Sequence, residues 1–239
     1  MTEAIIYYRT KGDMKLALLI FIILAVSSGL FFYFYSNFNE SEDVKSLIVS
    51  SLEVFDNGNG TVTMLGEISN PNKNLGAEKF SYMLNLYDQS DKKIFSQTKE
   101  SFIYPEKTRT IIETNIIVPV DETLRGEITI GKITWDIAEK FSYVPEKKIA
   151  VKNTTLKGGI GKLIINGILT NDNPQKVINV YLKAILFNKD FIKQGASVIL
   201  LEEINSLESK NFSIEVPLNK KALQEVDMSK TKIVIEVAR

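Results

Sequence analysis

Three groups of residues have types and spacings that could support chemistry. Glu202-Glu203, and Glu106 with Glu113, are the nearest approach to paired carboxylates. Glycoside hydrolysis needs two such groups facing each other across a cleft. Neighbouring strand residues point to opposite sides of a sheet, so Glu202 and Glu203 cannot act together. Both pairs read as solvated or edge-protecting charges. Gly158-Gly159-Ile160-Gly161-Lys162 is superficially a phosphate loop. A P-loop carries Gly five positions before its Gly-Lys pair and Ser or Thr after it. Leu156 and Leu163 stand there instead, which leaves a tight hairpin. Asp56-Asn57-Gly58-Asn59-Gly60 offers oxygens to calcium, but Gly58 fills the third position of the loop, where an EF-hand places a ligand. The matching turn in the second half of the chain has no acidic residue.

Composition narrows the chemistry further. The chain of 239 residues has no Cys and no His. That excludes disulfides, thiol catalysis, thiolate metal sites and Ser-His-Asp triads, and it removes the commonest zinc ligand. Lys plus Arg and Asp plus Glu both number 29, so the net charge is zero. A nucleic-acid binder draws most of its affinity from a basic excess, which is missing here. The sequence predicts no catalytic residue, no cofactor and no metal.

The elements that would position functional groups fall into two parts. Leu16 to Tyr35 is an uncharged run of 20 residues, 13 of them Leu, Ile, Val or Phe. At about 1.5 Å per residue it spans about 30 Å, the thickness of a hydrocarbon core. At roughly −0.3 to −0.6 kcal/mol for each apolar residue, insertion gains about −6 kcal/mol. Arg9, Lys11 and Lys15 precede the run and Glu40, Glu42 and Asp43 follow it. The positive-inside rule then places the tail 1–15 in the cytoplasm and everything after the span 16–35 outside. Ala25-Val26-Ser27 resembles a signal-peptide cleavage site, but the apolar run continues through Tyr35, which suits an uncleaved anchor. A short polar stalk, 36–43, follows.

The remainder reads as one unit repeated. Gly66-Glu67-Ile68-Ser69-Asn70 matches Gly167-Ile168-Leu169-Thr170-Asn171, and Leu86-Tyr87-Asp88 matches Leu186-Phe187-Asn188. Asn115 to Pro119 matches Ser213 to Pro217, and Lys132 to Ala138 matches Lys232 to Ala238. The last match pairs the single Trp135 with Ile235, which makes it a core position. Within the unit, Phe80, Tyr82, Leu84 and Leu86 alternate with smaller or polar residues, the period of a half-buried strand. Asn85 and Ser81 point the other way and are free to vary unless that face is covered. Thr108 to Val118 is a β-branched strand, and Asp121 and Asn219 are placed to cap a helical turn in each copy. About seven short strands in roughly 95 residues predict an immunoglobulin-like sandwich. The fold expected is therefore mainly β: a transmembrane helix followed by tandem sandwiches over 44–141 and 145–239. The junction, Tyr143 to Lys148, is short and couples them semi-rigidly.

These residues resemble a family. Gly66 to Asn70, then Phe80 to Leu84, then Leu86-Tyr87-Asp88, resembles the FxLYD domain, with the second copy a diverged version. Asn70-Pro71-Asn72 also resembles the Asn-Pro-Asn signature of the late-embryogenesis-abundant type 2 (water-stress) domain, a comparable small sandwich. The resemblance covers both repeats and not the anchor. It implies an envelope-facing accessory or interaction module and carries no catalytic residue. The function expected is a non-enzymatic protein of the cell envelope, anchored by its own helix and binding other envelope or surface proteins. The alternative is a ligand-binding or stress-protective module that recognises a polymer or small molecule. A contiguous apolar patch would favour the first, and a concave polar pocket the second.

Overall fold

The computed structural model describes residues 19, 21, 24–29, 43–118, 124–141 and 144–237. The chain divides into two compact units, 1–44 and 45–239. In the first, 24–29 are helical, and the Ser27 and Ser28 hydroxyls each donate to the carbonyl three residues back at 3.0 Å. The span 16–35 falls largely outside the described residues, as do the tail 1–15 and nearly all of the stalk 36–43. Among the described residues no helix is long and apolar enough to cross a membrane.

The unit 45–239 is mainly β. Six strands, β1 (Ile48–Asp56), β2 (Thr61–Ser69), β3 (Leu75–Tyr87), β4 (Lys93–Ile103), β5 (Thr108–Ile117) and β6 (Arg125–Ile137), form two sheets, β1-β2-β5 and β4-β3-β6. Six more, β7 (Ile149–Gly159), β8 (Lys162–Asn171), β9 (Val177–Phe187), β10 (Lys193–Ile204), β11 (Ser209–Pro217) and β12 (Lys232–Val237), repeat the arrangement as β7-β8-β11 and β10-β9-β12. Every pairing is antiparallel. Each sandwich thus shows six strands among the described residues, three on three, where about seven were expected.

Alternation drives each sandwich closed. Phe80, Tyr82, Leu84 and Leu86 on β3 are buried with Met64, Ile68 and Ile103 in the first core. Val180, Leu182, Ala184 and Leu186 on β9 occupy the second. Two repeated motifs have structural jobs. Asn70 Oδ1 accepts from Asn72 N at 3.0 Å and Nδ2 at 2.9 Å, while Asn72 Nδ2 also donates to the Lys45 carbonyl at 2.8 Å. Asn171 and Asn173 repeat this at 3.0 and 2.7 Å, with Asn173 Nδ2 donating to the Pro145 carbonyl at 3.1 Å. Each Asn-x-Asn therefore ties the segment leading into its sandwich to the β2–β3 or β8–β9 turn. Asp88 and Asn188 close equivalent turns, each accepting two backbone N–H bonds at 2.8 to 2.9 Å. Asn219 Oδ1 accepts from Ala222 N at 2.8 Å and caps the turn Lys220–Glu225, whereas Asp121 lies outside the described residues.

The register corrects two of the four sequence matches. Val118 N donates to the Gly60 carbonyl and Leu218 N to the Gly161 carbonyl, so Val118 corresponds to Leu218 and not to Val216. On β9, Ile235 faces Leu182; on β3, Ile130 faces Tyr82 while Trp135 faces Ala77. Trp135 therefore has no counterpart in Ile235, although it does pack against the first core. The cause is length: β6 runs 13 residues and bulges twice against β3, whereas β12 runs six. Asn85 is a further correction. It is 2% exposed and accepts from Ser96 Oγ at 2.8 Å, because β3 is the central strand and its outward face is flanked by β4 and β6.

The two sandwiches pack face to face. Leu65 on β2 and Ile112 on β5 bury against Ile185 on β9 and Ala196 on β10, with Phe55, Phe187, Val198 and Val234 around them. The faces used are not equivalent: the first sandwich contributes sheet β1-β2-β5, the second sheet β10-β9-β12. Polar contacts ring this seam. Lys193 bridges to Glu53 at 2.9 Å, and Asn219 Nδ2 donates to the Asp56 carbonyl at 3.2 Å. At the junction, Glu146 accepts from Val237 N at 2.9 Å and from the Tyr104 hydroxyl at 3.4 Å. Coupling between the sandwiches comes mainly from this buried face, more than from the short junction.

Candidate functional site

β4 and β5 are consecutive but lie in different sheets of the first sandwich. Packed sheets stand about 10 Å apart, so the flank between these two edge strands gives access to the core. Against that flank lies β9 of the second sandwich. The result is a cleft of about 1030 Å³, lined among others by Tyr82, Lys99, Phe102, Arg109, Tyr181 and Lys183.

A buried charge cluster forms its floor. Glu236 on β12 accepts from Thr110 N at 3.1 Å with one oxygen and from the Lys183 ammonium with the other. Lys183 also donates to the Thr110 carbonyl. Arg109 Nε lies 2.9 Å from Glu236 Oε2, close enough for a strong Coulomb contact. The contact is off the N–H direction, however, so that Nε has no hydrogen-bond acceptor. The guanidinium instead stacks on Phe102, 4.4 Å from the ring centre. Two cations thus share one carboxylate. Burial, only partly offset by Glu236 and reinforced by Arg109, pulls the Lys183 ammonium down to about 8.

Tyr82 is 6% exposed. Burial, helped by Glu113, pushes its hydroxyl up to about 12, so it stays protonated and acts as a donor. No partner for that hydroxyl exists among the described residues. Around the rim Lys99 pairs with Glu113, Lys79 with Glu100 at 2.8 Å, and Lys140 with Asp136 at 2.6 Å, and the exposed Glu78 also lines the cleft. A second hollow of about 330 Å³ lies on the far side of Arg109, lined by Phe102, Tyr104, Phe141, Val144 and Ile235. Phe102 and Phe141 stack edge-on against Tyr104 at 5.4 and 5.8 Å.

The residues singled out by sequence lie elsewhere. Glu203 pairs with Lys176 at 2.9 Å, Glu106 sits in the β4–β5 turn, and Glu113 is held by Lys99. Gly161, at φ 67°, makes the β7–β8 hairpin turn. The oxygens of Asp56 and Asn59 accept from Gly58 N at 2.8 Å and Thr61 N at 3.1 Å, so the turn itself uses them. Sequence reasoning missed Arg109, Lys183 and Glu236. The available signal was Lys183 as the one charge in the apolar run 180–187, with Glu236 likewise alone in 233–237.

No family model matches the chain, and no curated protein does. Among solved structures, red sea bream transglutaminase aligns at 9% identity and TM-score 0.27, covering 79% of this chain and 31% of that one. A β-glucuronidase of glycoside hydrolase family 2 aligns at 8% identity and TM-score 0.27, covering 80% and 26%. The tandem CBM22-1-CBM22-2 domain of Paenibacillus barcinonensis Xyn10C aligns at 7% identity and TM-score 0.17, covering 82% and 87%. The chain spans between a quarter and a third of the length of the two enzymes.

Proposed function

We propose that this chain is a non-enzymatic, membrane-anchored binding protein of the cell envelope, whose paired sandwiches act outside the cytoplasm as one rigid recognition unit. The observation that carries this reading is the cleft between β4, β5 and β9: it is concave, bordered by polar groups, and built from both sandwiches. Ligand sites favour such domain boundaries. A concave site also favours a polymer or small-molecule ligand over a flat protein–protein contact. The anchor rests on the uncharged run 16–35 and on the basic residues before it. Its described side chains fit a lipid setting, since Leu19, Phe21, Leu24 and Val26 are 55 to 69% exposed. The kinship with FxLYD and immunoglobulin-like domains rests on the Leu86-Tyr87-Asp88 and Asn-x-Asn motifs.

Photocrosslinking in native membranes tests the reading. A benzophenone amino acid replacing the cleft residue Ser101 should capture an envelope component that the same group at Asn166, on the outer face of β8, does not. The intact chain should carry peptides from 1–11. Equal capture at both positions, or a mature chain beginning near Ser28, would overturn the reading.

A further inference from the structure

The hydrogen-bonding capacity left over on the floor of the cleft is one-sided. The buried and half-buried carboxylates there are occupied: Glu236 by Lys183, Arg109 and Thr110, and Glu113 by Lys99. Gln97, with its amide turned to donate, also reaches Glu113 at 3.1 Å. What remains is donors. Arg109 is 9% exposed, and among the described residues its guanidinium has the off-axis Glu236 contact and the Phe102 ring. Tyr82 is 6% exposed and its hydroxyl has no partner among the described residues. Both line the same cleft. Arg109 Nε is a buried donor without an acceptor, a state that is destabilising and that native structures seldom keep without a ligand or water, while the Tyr82 side chain lines the open cleft. Charge points the same way. Lys183 and Arg109 share a single carboxylate, so the buried floor carries one positive charge in excess, while the rim holds the Lys79–Glu100 and Lys99–Glu113 pairs and the exposed Glu78 carboxylate.

From this geometry we infer that the cleft is an oxyanion site, taking a carboxylate or phosphate group of its ligand between the Arg109 guanidinium and the Tyr82 hydroxyl. The inference rests on the ligand-binding reading above and names the class of ligand. Arg109 supplies a planar pair of N–H donors, a shape that matches a carboxylate or phosphate edge. Phe102 holds the guanidinium plane by stacking, and the Glu236 carboxylate anchors its Nε end. Lys183 sits behind, adding field without needing direct contact. An incoming oxyanion would neutralise the surplus charge and satisfy the orphan donors in one step.

Calorimetric titration of the full chain, held in an uncharged polyoxyethylene detergent, tests the site. The probes are inorganic phosphate, sodium propionate and the neutral trisaccharide maltotriose, with sodium chloride at matched ionic strength as control. Saturable binding of phosphate or propionate but not chloride is expected, and which of the two binds tighter assigns the group. Arg109→Lys keeps the charge but loses the fork, and should weaken that binding about tenfold or more. Tyr82→Phe keeps the packing and deletes only the unpaired hydroxyl. It should weaken binding roughly three- to tenfold while leaving the urea midpoint unchanged, which a merely structural role would not do. Anion binding that both variants leave untouched overturns the assignment. Maltotriose binding lost in the variants, without any anion binding, overturns the oxyanion class but keeps the cleft as a ligand site. Silence from every probe, together with no photocrosslink at Ser101, overturns both.

Discussion

Removing the Glu236 carboxylate should damage the molecule far more than removing the Lys183 ammonium it holds. Glu236 is 7% exposed and, among the described residues, is the only acid paired with both Lys183 and Arg109. In Glu236→Ala two cations remain buried against each other and Thr110 N loses its acceptor. Breaking a buried pair in this way costs about 3–5 kcal/mol. Deprotonation of Lys183 limits the loss to that range, since its ammonium already sits at about 8 with Glu236 present. Lys183→Met is the opposite case. The fall from 10.5 to about 8 means that the charged form is disfavoured by roughly 3 kcal/mol at neutral pH. Methionine removes that penalty and fills similar volume. It also strands the Thr110 carbonyl, at about 1–3 kcal/mol. The two effects nearly cancel, so Lys183→Met should stay within about 1 kcal/mol of the parent. Glu236→Gln, which keeps an acceptor for Thr110 N, should fall between them. Urea unfolding of the full chain in detergent at pH 7, followed by Trp135 fluorescence and circular dichroism, measures all three. Equal losses in Glu236→Ala and Lys183→Met, or a Glu236→Ala chain as stable as the parent, would refute the reasoning.

Leu86→Ala and Leu186→Ala should each cost roughly 2–5 kcal/mol, since both side chains are fully buried in equivalent core positions. Asn85→Ala should cost about 1 kcal/mol through its lost bond with Ser96, and Ser81→Ala less; a proteolysis-coupled alanine scan that finds the leucines silent would invert the strand register. Stability should rise with pH between about 8 and 10.5. In that window the unfolded chain keeps the Lys183 proton that the folded chain has released, so the slope is positive, at most about 1.4 kcal/mol per pH unit. The gain should be missing from Lys183→Met; a parent and variant that respond alike across that window would show that Lys183 titrates normally.

Much of the fold was legible because it depends on local signals. The alternation Phe80, Tyr82, Leu84, Leu86 and the turn residues Asp88, Asn188 and Gly161 act within a few residues of themselves. The two repeat matches in β2/β8 and β3/β9 hold for the same reason: Asn70 and Asn171, Leu86 and Leu186 do the same jobs. The matches near Pro217 and Lys232 slip, because an alternating apolar strand resembles itself when shifted, and bulges in β5 and β6 move the register without marking the sequence. The cleft was hidden for a different reason. Arg109, Lys183 and Glu236 are up to 127 residues apart and meet only across the seam between sandwiches. Tyr82 read correctly as a core residue, and nothing about its neighbours shows that its hydroxyl ends at an opening.

The seam itself leaves a trace when the repeats are compared strand by strand. Where the first sandwich buries Leu65 and Ile112, the register of β8 and β11 places Asn166 and Ser213, both exposed. Where the second buries Ile185 and Ala196 and half-buries Val198, the first has Asn85, Ser96 and Thr98. The contact joins two unlike faces, and such head-to-tail contacts can propagate from one copy to the next. The polar exchanges on both outer faces work against that, as capping repeats do in stacked arrays. Leu65→Asn, which installs the residue of the other repeat, therefore tests the seam alone. Leu65 is fully buried in the seam and belongs to neither sandwich core. The change should cost roughly 3–4 kcal/mol from lost burial and an unpaired amide. Both sandwiches should stay folded, with circular dichroism near that of the parent. The junction around 142–148 should become open to protease, and Lys183, now in water, should react readily with amine reagents. If Leu65→Asn instead unfolds both sandwiches together, or leaves Lys183 protected, the seam is not the independent element that holds the cleft together.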